Sequence, residues 1–242
     1  MAWYVWLVIA VVAVAAAGLI RRKRRWTLTF PGVGRVDVQT AGGRIEVVGE
    51  DRRDVAVEVA VAWSLGGQPR HTERVDGEQL VCRAGWWAPP FGVGWVDYRL
   101  RVPAGTAVTG SSGGGPALVV GVDGDVDVRS SAGSVTGRRL AGRVRLHSSA
   151  GTVVGSELSG PSAEADTSAG SVRLDFLTPP SRVQARSSAG SVDVLVPDEV
   201  YRVDARSSAG RVEIGVRTAP GAGRQISARS SAGRVRVHQR AS

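Results

Sequence analysis

The chain has 242 residues, 43% hydrophobic and 22% charged, a balance too apolar for a disordered protein. Its 32 glycines follow no triplet period, which excludes collagen, and one cysteine (Cys82) with three histidines excludes a disulfide framework and any Cys- or His-clustered metal centre. Five of the net nine positive charges sit in the run 21–25, so the remaining body is only mildly basic and its charge does not by itself indicate nucleic acid.

Residues 2–20 read AWYVWLVIAVVAVAAAGLI, without a charge. As a helix they would be about 28 Å long, close to the ~30 Å hydrocarbon core of a bilayer. Trp3, Tyr4 and Trp6 would form an aromatic belt at one interface, and Arg21, Arg22, Lys23, Arg24 and Arg25 would meet anionic headgroups at the other. A cleaved signal peptide is the competing reading, since Ala15–Ala17 offers a small-residue cleavage site. No positive n-region precedes Trp3, however, and the mature end would begin with five cations. The expectation is a retained single-pass helix over 1–20 and a basic juxtamembrane segment over 21–26. The positive-inside rule then puts the folded part in the cytoplasm, with an extracytoplasmic placement as the alternative.

Beyond the basic run, RVDVQTAGGRIEV sets Val36, Val38, Ile45 and Val47 two apart around Gly43. That alternation predicts two half-buried strands joined at a tight corner. Three more alternating stretches follow, VAVEVAVAW, QLVCRAGWW and WVDYRLRVP, inside an N-terminal β region expected over 27–108. Cys82, within the second, reads as a buried, inert thiol. Trp63, Trp86, Trp87 and Trp95 concentrate here. They fit either a cap over an open strand edge or an exposed docking patch at Trp86, Trp87 and Phe91.

From residue 109 onward a repeat dominates. The tetrad SSAG or TSAG places its glycine at Gly133, Gly151, Gly170, Gly190, Gly210 and Gly233, spaced 18, 19, 20, 20 and 23 apart, with a degenerate copy at Gly114. Seven and five residues before each full-tetrad glycine, and two after it, the residue is Val, Leu, Ile or Ala. Each unit is therefore a strand, a small-residue turn and a second strand. A unit of about 20 residues cannot bury its own apolar face, so neighbours must stack. The predicted fold is all-β: a parallel β-solenoid with one repeat per coil over 109–242. An antiparallel sandwich is the rival.

The repeat RVDVQTAGGRIEV, the strand VDYRLRVPAGTAV and the serial SSAG turns from Ser111 to Val237 together resemble a bacterial family of adhesin-like β-strand-repeat proteins of unknown function. The resemblance covers about 210 residues. It implies a parallel β-solenoid, often tethered to a membrane segment, and it carries no residue-level site. Where that family more usually has an acidic residue after the turn glycine, this chain has Ser or Arg, as at Arg211 and Arg234.

The chemistry-bearing motifs are mostly absent. Asp123, Asp125 and Asp127 would share one strand face, but arginines occupy the adjacent repeat at Arg143 and Arg145, so a solvated charge ladder is expected rather than a glycosidase pair. Gly110–Gly115 lacks the Gly-Lys-Ser/Thr of a phosphate loop, and no GxSxG elbow occurs. His147 and Ser148 are adjacent and would face opposite ways on a strand. No cofactor is called for.

One surface feature remains. Four residues before the turn glycines lie Arg129, His147, Asp166, Arg186, Arg206 and Arg229, and Arg211, Arg234 and Arg236 follow the last two. Stacked repeats would line these up as a basic stripe for a polyanion, an acidic protein or lipid headgroups. Nucleic-acid binding is disfavoured because no aromatics interleave for base stacking. The expected function is a non-catalytic, membrane-anchored, adhesin-like scaffold or interaction module. The alternatives are a carbohydrate-active enzyme and a scaffold that self-associates end to end through an uncapped C-terminal coil.

Overall fold

The computed structural model describes residues 22–64, 67–85 and 94–240. The N-terminal strands are β1 (Arg22–Pro31), β2 (Arg35–Thr40), β3 (Ile45–Glu50), β4 (Asp54–Trp63), β5 (His71–Asp76), β6 (Gln79–Ala84) and β7 (Gly94–Pro103). The repeats supply β8 (Ala107–Ser112), β9 (Ala117–Val122), β10 (Val126–Ser130), β11 (Val135–Leu140), β12 (Val144–Ala150), β13 (Val153–Leu158), β14 (Ser162–Ala169) and β15 (Val172–Phe176). They continue with β16 (Arg182–Ala189), β17 (Val192–Val196), β18 (Val200–Ala209), β19 (Val212–Gly215), β20 (Arg217–Thr218), β21 (Gln225–Ala232) and β22 (Val235–Gln239).

These strands form two eleven-stranded sheets that share one core. The first runs β1-β4-β7-β3-β9-β11-β13-β15-β17-β22-β19 and the second β20-β18-β21-β16-β14-β12-β10-β8-β2-β6-β5. Each repeat is an arch, with one limb in the second sheet and the other in the first. Inward-facing Val and Ala fill the space between: Val126, Val128 and Val135 in one arch, Ala163, Ala165 and Val172 in another, all nearly inaccessible to solvent. Register is held residue on residue, so Val172 lies between Val153 and Val192.

The expected parallel β-solenoid is corrected on two counts. The sheets are of mixed direction, because β1–β4, β4–β7 and β5–β6 pair antiparallel. The strands also do not follow chain order at the C-terminal end: β21–β22, the last repeat, inserts between β16–β17 and the penultimate repeat β18–β19. Near-identical tetrads make this possible, because RSSAG stacks on RSSAG equally well from either side.

The expected single-pass anchor is corrected as well. The described residues contain no helix long and apolar enough to cross a membrane. The span 2–20 lies outside them, and the cytoplasmic placement that rested on it goes with it. Within the described residues the basic run belongs to a strand: Arg22–Arg25 open β1, where pairing with β4 carries the strand back from its apolar half, and Arg25 Nε lies 3.0 Å from Glu58. Arg21 is outside the described residues.

Two contacts recur at every turn. The first serine or threonine of the tetrad points inward, and its hydroxyl donates to the turn-glycine carbonyl of a neighbouring arch: Ser148 to Gly133 O at 2.8 Å, Ser187 to Gly170 O at 2.8 Å, Ser230 to Gly190 O at 2.8 Å and Ser207 to Gly233 O at 2.7 Å. The glycine itself packs against the same carbonyl. A Cβ at Gly133 would fall 2.2 Å from Gly115 O, and one at Gly190 would fall 2.0 Å from Gly170 O. No side chain fits there, which is why the turn ends in glycine. Gly190→Ala is expected to destabilise by several kcal/mol through this backbone clash, and Ser187→Ala by about 1–2 kcal/mol through an orphaned buried carbonyl. Chemical denaturation of the two variants checks both the magnitudes and their order.

Candidate functional site

The expected basic stripe divides when placed on the fold. In the second sheet the ladder runs Arg129, His147, Asp166, Arg186, Arg229, Arg206. Arg129 sits apart, beyond His147 and Asp166. It is tied to Asp127 at 3.2 Å, and that hydrogen bond holds its guanidinium pKa above the ordinary value. His147 Nδ1 lies 2.7 Å from Asp166 Oδ1, while Ser148 beside it faces inward. Arg236 belongs to the other sheet, where it binds the nearly buried Asp193 at 3.2 Å together with Arg173. Arg211 and Arg234 stand at the turns, exposed. Trp86, Trp87 and Phe91 lie outside the described residues.

Arg186, Arg229 and Arg206 do come together. They occupy three successive parallel strands, β16, β21 and β18, at one register position and on one face, about 4.8 Å apart per step. Two residues further along, on the same face, stand Ser188, Ser231 and Ser208, with Ser168 on β14 continuing the row. These side chains line an open groove of about 420 Å³. Asp204, two residues before Arg206, is its counter-charge: its oxygens accept from Arg206 Nε at 2.7 Å and Arg229 Nη2 at 2.6 Å. The bond from Arg229 is the larger cause, with that from Arg206, holding the Asp204 carboxyl below its ordinary value. Arg186 has only a 3.4 Å contact to Gln184. The groove therefore presents three guanidiniums and a row of hydroxyls, which are donors for anionic oxygen, with the Asp166 carboxylate, paired to His147, at its β14 edge.

The insertion of the last repeat sets this order. Sequence spacing puts Arg206 next to Arg186, whereas in the sheet Arg229 lies between them. Asp204 was legible from alternation, which puts i and i+2 on one face; its bond to Arg229 was not, because that depends on the exchanged strand order.

A second groove, about 430 Å³, crosses the first sheet at Trp95, between the turns at Gly43 and Gly115. Its carboxylates are engaged: Glu58 with Arg25 at 3.0 Å and Arg99 at 3.9 Å, Glu46 with Arg99 at 3.1 Å, and Asp97 with the Arg44 N–H at 2.7 Å. Of the aspartates around Asp125, Asp125 accepts from the Arg143 N–H at 2.9 Å and Asp127 pairs with Arg129. Among the described residues, no group of His, Cys, Asp and Glu could hold a metal ion.

Between the sheets at the N-terminal end, Tyr98 Oη donates to Glu73 Oε1 at 2.9 Å, His71 Nδ1 lies 3.1 Å from the same oxygen, and the Trp26 ring sits 4.8 Å from the His71 ring. This polar cluster joins β7 to β5 and packs β1 over β5. Cys82 lies beneath it, and burial, with Glu73 and Asp37 nearby, pushes its thiol up to about 12. A thiolate-selective reagent at pH 8 is expected to leave Cys82 unmodified until denaturant is added, because neither access nor ionisation is available.

No family model matches the chain, and no curated protein does. Among solved structures it is similar to a candidate adhesin from Parabacteroides merdae (10% identity, 89% of this chain and 96% of that one, TM-score 0.48). It is also similar to a candidate lipid-binding protein from Parabacteroides distasonis (10%, 91% and 97%, 0.43) and a candidate adhesin from Bacteroides fragilis (13%, 93% and 99%, 0.40).

With its carboxyl held low by two arginines, Asp204 contributes stability that is present above its unfolded pKa of about 3.9 and lost as the pH falls through the lower native value. Protonation also removes one negative charge from the groove. Retention on a dextran sulfate matrix is therefore expected to rise as the pH falls through that lower native value, and Asp204→Asn is expected to raise retention at pH 7; equal retention by wild type and variant at pH 7 counts against the role of Asp204.

Proposed function

We propose that this protein is a non-catalytic, adhesin-like interaction module that binds linear polyanions along the groove formed by Arg186, Arg229 and Arg206. The observation that carries the reading is their delivery, in register, by three successive parallel strands. A rigid sheet fixes the backbone positions from which the three arginines project before any ligand arrives, so no backbone ordering is needed on binding. The serine row adds neutral donors that suit sulfate, phosphate or carboxylate oxygens. The groove is open rather than enclosed, which suits a chain-like ligand running across the strands better than a small molecule.

The absence of chemistry at the grooves fits this role. The carboxylates of the Trp95 groove are engaged by arginines or a backbone N–H, which gives the carbohydrate-active reading little support there. Arg129, Arg211 and Arg234 widen the cationic surface around the groove without joining it, and Arg236, on the opposite sheet, does not contribute.

Replacing Arg186, Arg229 and Arg206 with Gln in the full chain is expected to weaken retention on dextran sulfate. It should also flatten the dependence of log affinity on log salt by roughly two to three. Arg236→Gln is the control and should change neither. Undiminished retention by the triple variant would overturn the groove as the binding site.

A further inference from the structure

The structure leaves one end of the two-sheet stack open, at a place the sequence does not indicate. The last repeat, β21–β22, is buried on both sides, with Val235 and Val237 at 0% exposure. The penultimate repeat is the terminal one in space. At the matching inward positions of β19, Val212 is 37% and Ile214 47% exposed, and Val200 on β18 is 37% exposed. These are three of the five large exposed hydrophobic residues among the described residues. Val203 and Ala205 on β18 are only partly buried. β20 pairs with β18 only at Val200 and Tyr201, so the outer edge from Arg202 to Ala209 has no partner strand among the described residues.

We propose that a second copy of this chain covers this end, making a closed two-fold dimer in which β18 pairs antiparallel with β18 of the partner, centred on Ala205. The edge is self-complementary in charge. A two-fold centred on Ala205 sets each Asp204 across from the partner's Arg206 and brings Arg202 opposite the partner's Ser208, so no like charges face each other. Opposite charges at directly opposed positions stabilise an antiparallel pair. The two-fold sets Ala205 against the partner's Ala205 and Val203 against the partner's Ser207, and it brings the exposed Val212 and Ile214 of the two β19 strands to the same contact. An edge of this sort left bare is a template for pairing.

Head-to-tail stacking would instead set β19 and β18 against β1 and β5, the strands at the opposite ends of the two sheets. A two-fold contact closes on itself and does not propagate into a fibre. An eight-residue edge is about 26 Å long and two packed layers about 20 Å across, so the contact buries on the order of 1,000 Å² in total. That is the lower bound for a specific interface, and it points to a dimer that forms in the micromolar range. The dimer does not depend on the polyanion groove.

Full-length protein in neutral detergent, followed by sedimentation across micromolar concentrations, is expected to show a monomer–dimer equilibrium. Val212→Lys with Ile214→Lys should weaken it at least about tenfold, with β content by circular dichroism unchanged. Ala205→Cys is expected to give a disulfide-linked dimer on mild oxidation, since directly opposed residues of antiparallel strands lie within disulfide reach, while wild type, with Cys82 buried, gives none. A strictly monomeric wild type, a dimer unaffected by the two lysines, or Ala205→Cys without a cross-link under conditions where wild type dimerises would each overturn the proposal. Dextran sulfate retention by the lysine variant, still intact, separates this result from a failure of the groove.

Discussion

The stack depends on how closely one turn can approach the next. From Gly115 through Gly133, Gly151, Gly170, Gly190 and Gly233 to Gly210, each glycine Cα rests against the glycine carbonyl of the turn below, beginning with Gly43 O, and a Cβ at any of them would lie within 2.5 Å of that oxygen. Beside it, from Gly115 onward, the inward hydroxyl of the tetrad donates to the same carbonyl, as Ser130 does to Gly115 O at 3.1 Å and Thr167 to Gly151 O at 2.9 Å. The contact settles two things together. It satisfies carbonyls that would otherwise be buried without donors, and it fixes the register of the strands on either side of the turn. Hydrophobic packing alone would not do this, since Val and Ala side chains offer little to distinguish one register from a slip of two residues.

That fixed register is what makes a functional surface out of ordinary exposed residues. An arginine four residues before one turn glycine says little. Three of them locked to the same height on adjacent strands become an array with a defined spacing. The same locking explains the committed carboxylates: Arg138 meets Glu157 at 2.8 Å, and Arg173 and Arg236 both reach Asp193, because each ladder position brings side chains of neighbouring repeats within ion-pair distance. Such pairs at the surface contribute modestly to stability. Here they chiefly set which arginines remain open to a ligand.

Much of the fold can be read from the sequence, and the limits have identifiable causes. The alternation around SSAG correctly gives strand, turn and strand, and it identifies Val126, Val144, Val183 and Val203 as inward-facing. It also predicts the residue-on-residue stacking of Val153, Val172 and Val192. The direction of β4 and β7 is not encoded in alternation, since VAVEVAVAW reads the same for parallel and antiparallel pairing. The position of the last repeat is equally invisible: the residues that would specify a neighbour are identical in β16, β18 and β21, all ending in RSSA. Arg22–Arg25 misled because charge and an adjacent apolar run suggest a membrane boundary, while strand pairing is set by Trp26–Phe30 and their partners on β4. In the groove, the arginines were legible one at a time, and their order and the double engagement of Asp204 were not.

The displaced penultimate repeat bears on how the protein is made. β18 and β19 precede β21 and β22 in the chain, yet the place beside β16 and β17 belongs to the later pair. The native arrangement requires that place to stay free, or to be vacated, until β21 and β22 dock there. Pro197–Glu199 steps over the gap, with the Pro197 carbonyl held by Tyr201 Oη at 3.1 Å, and Val216–Arg224 carries the chain back into it. The native order of the last three arches therefore requires β21–β22 themselves, and a released chain cut near residue 220 would leave β18–β19 as the arch next available to β16–β17.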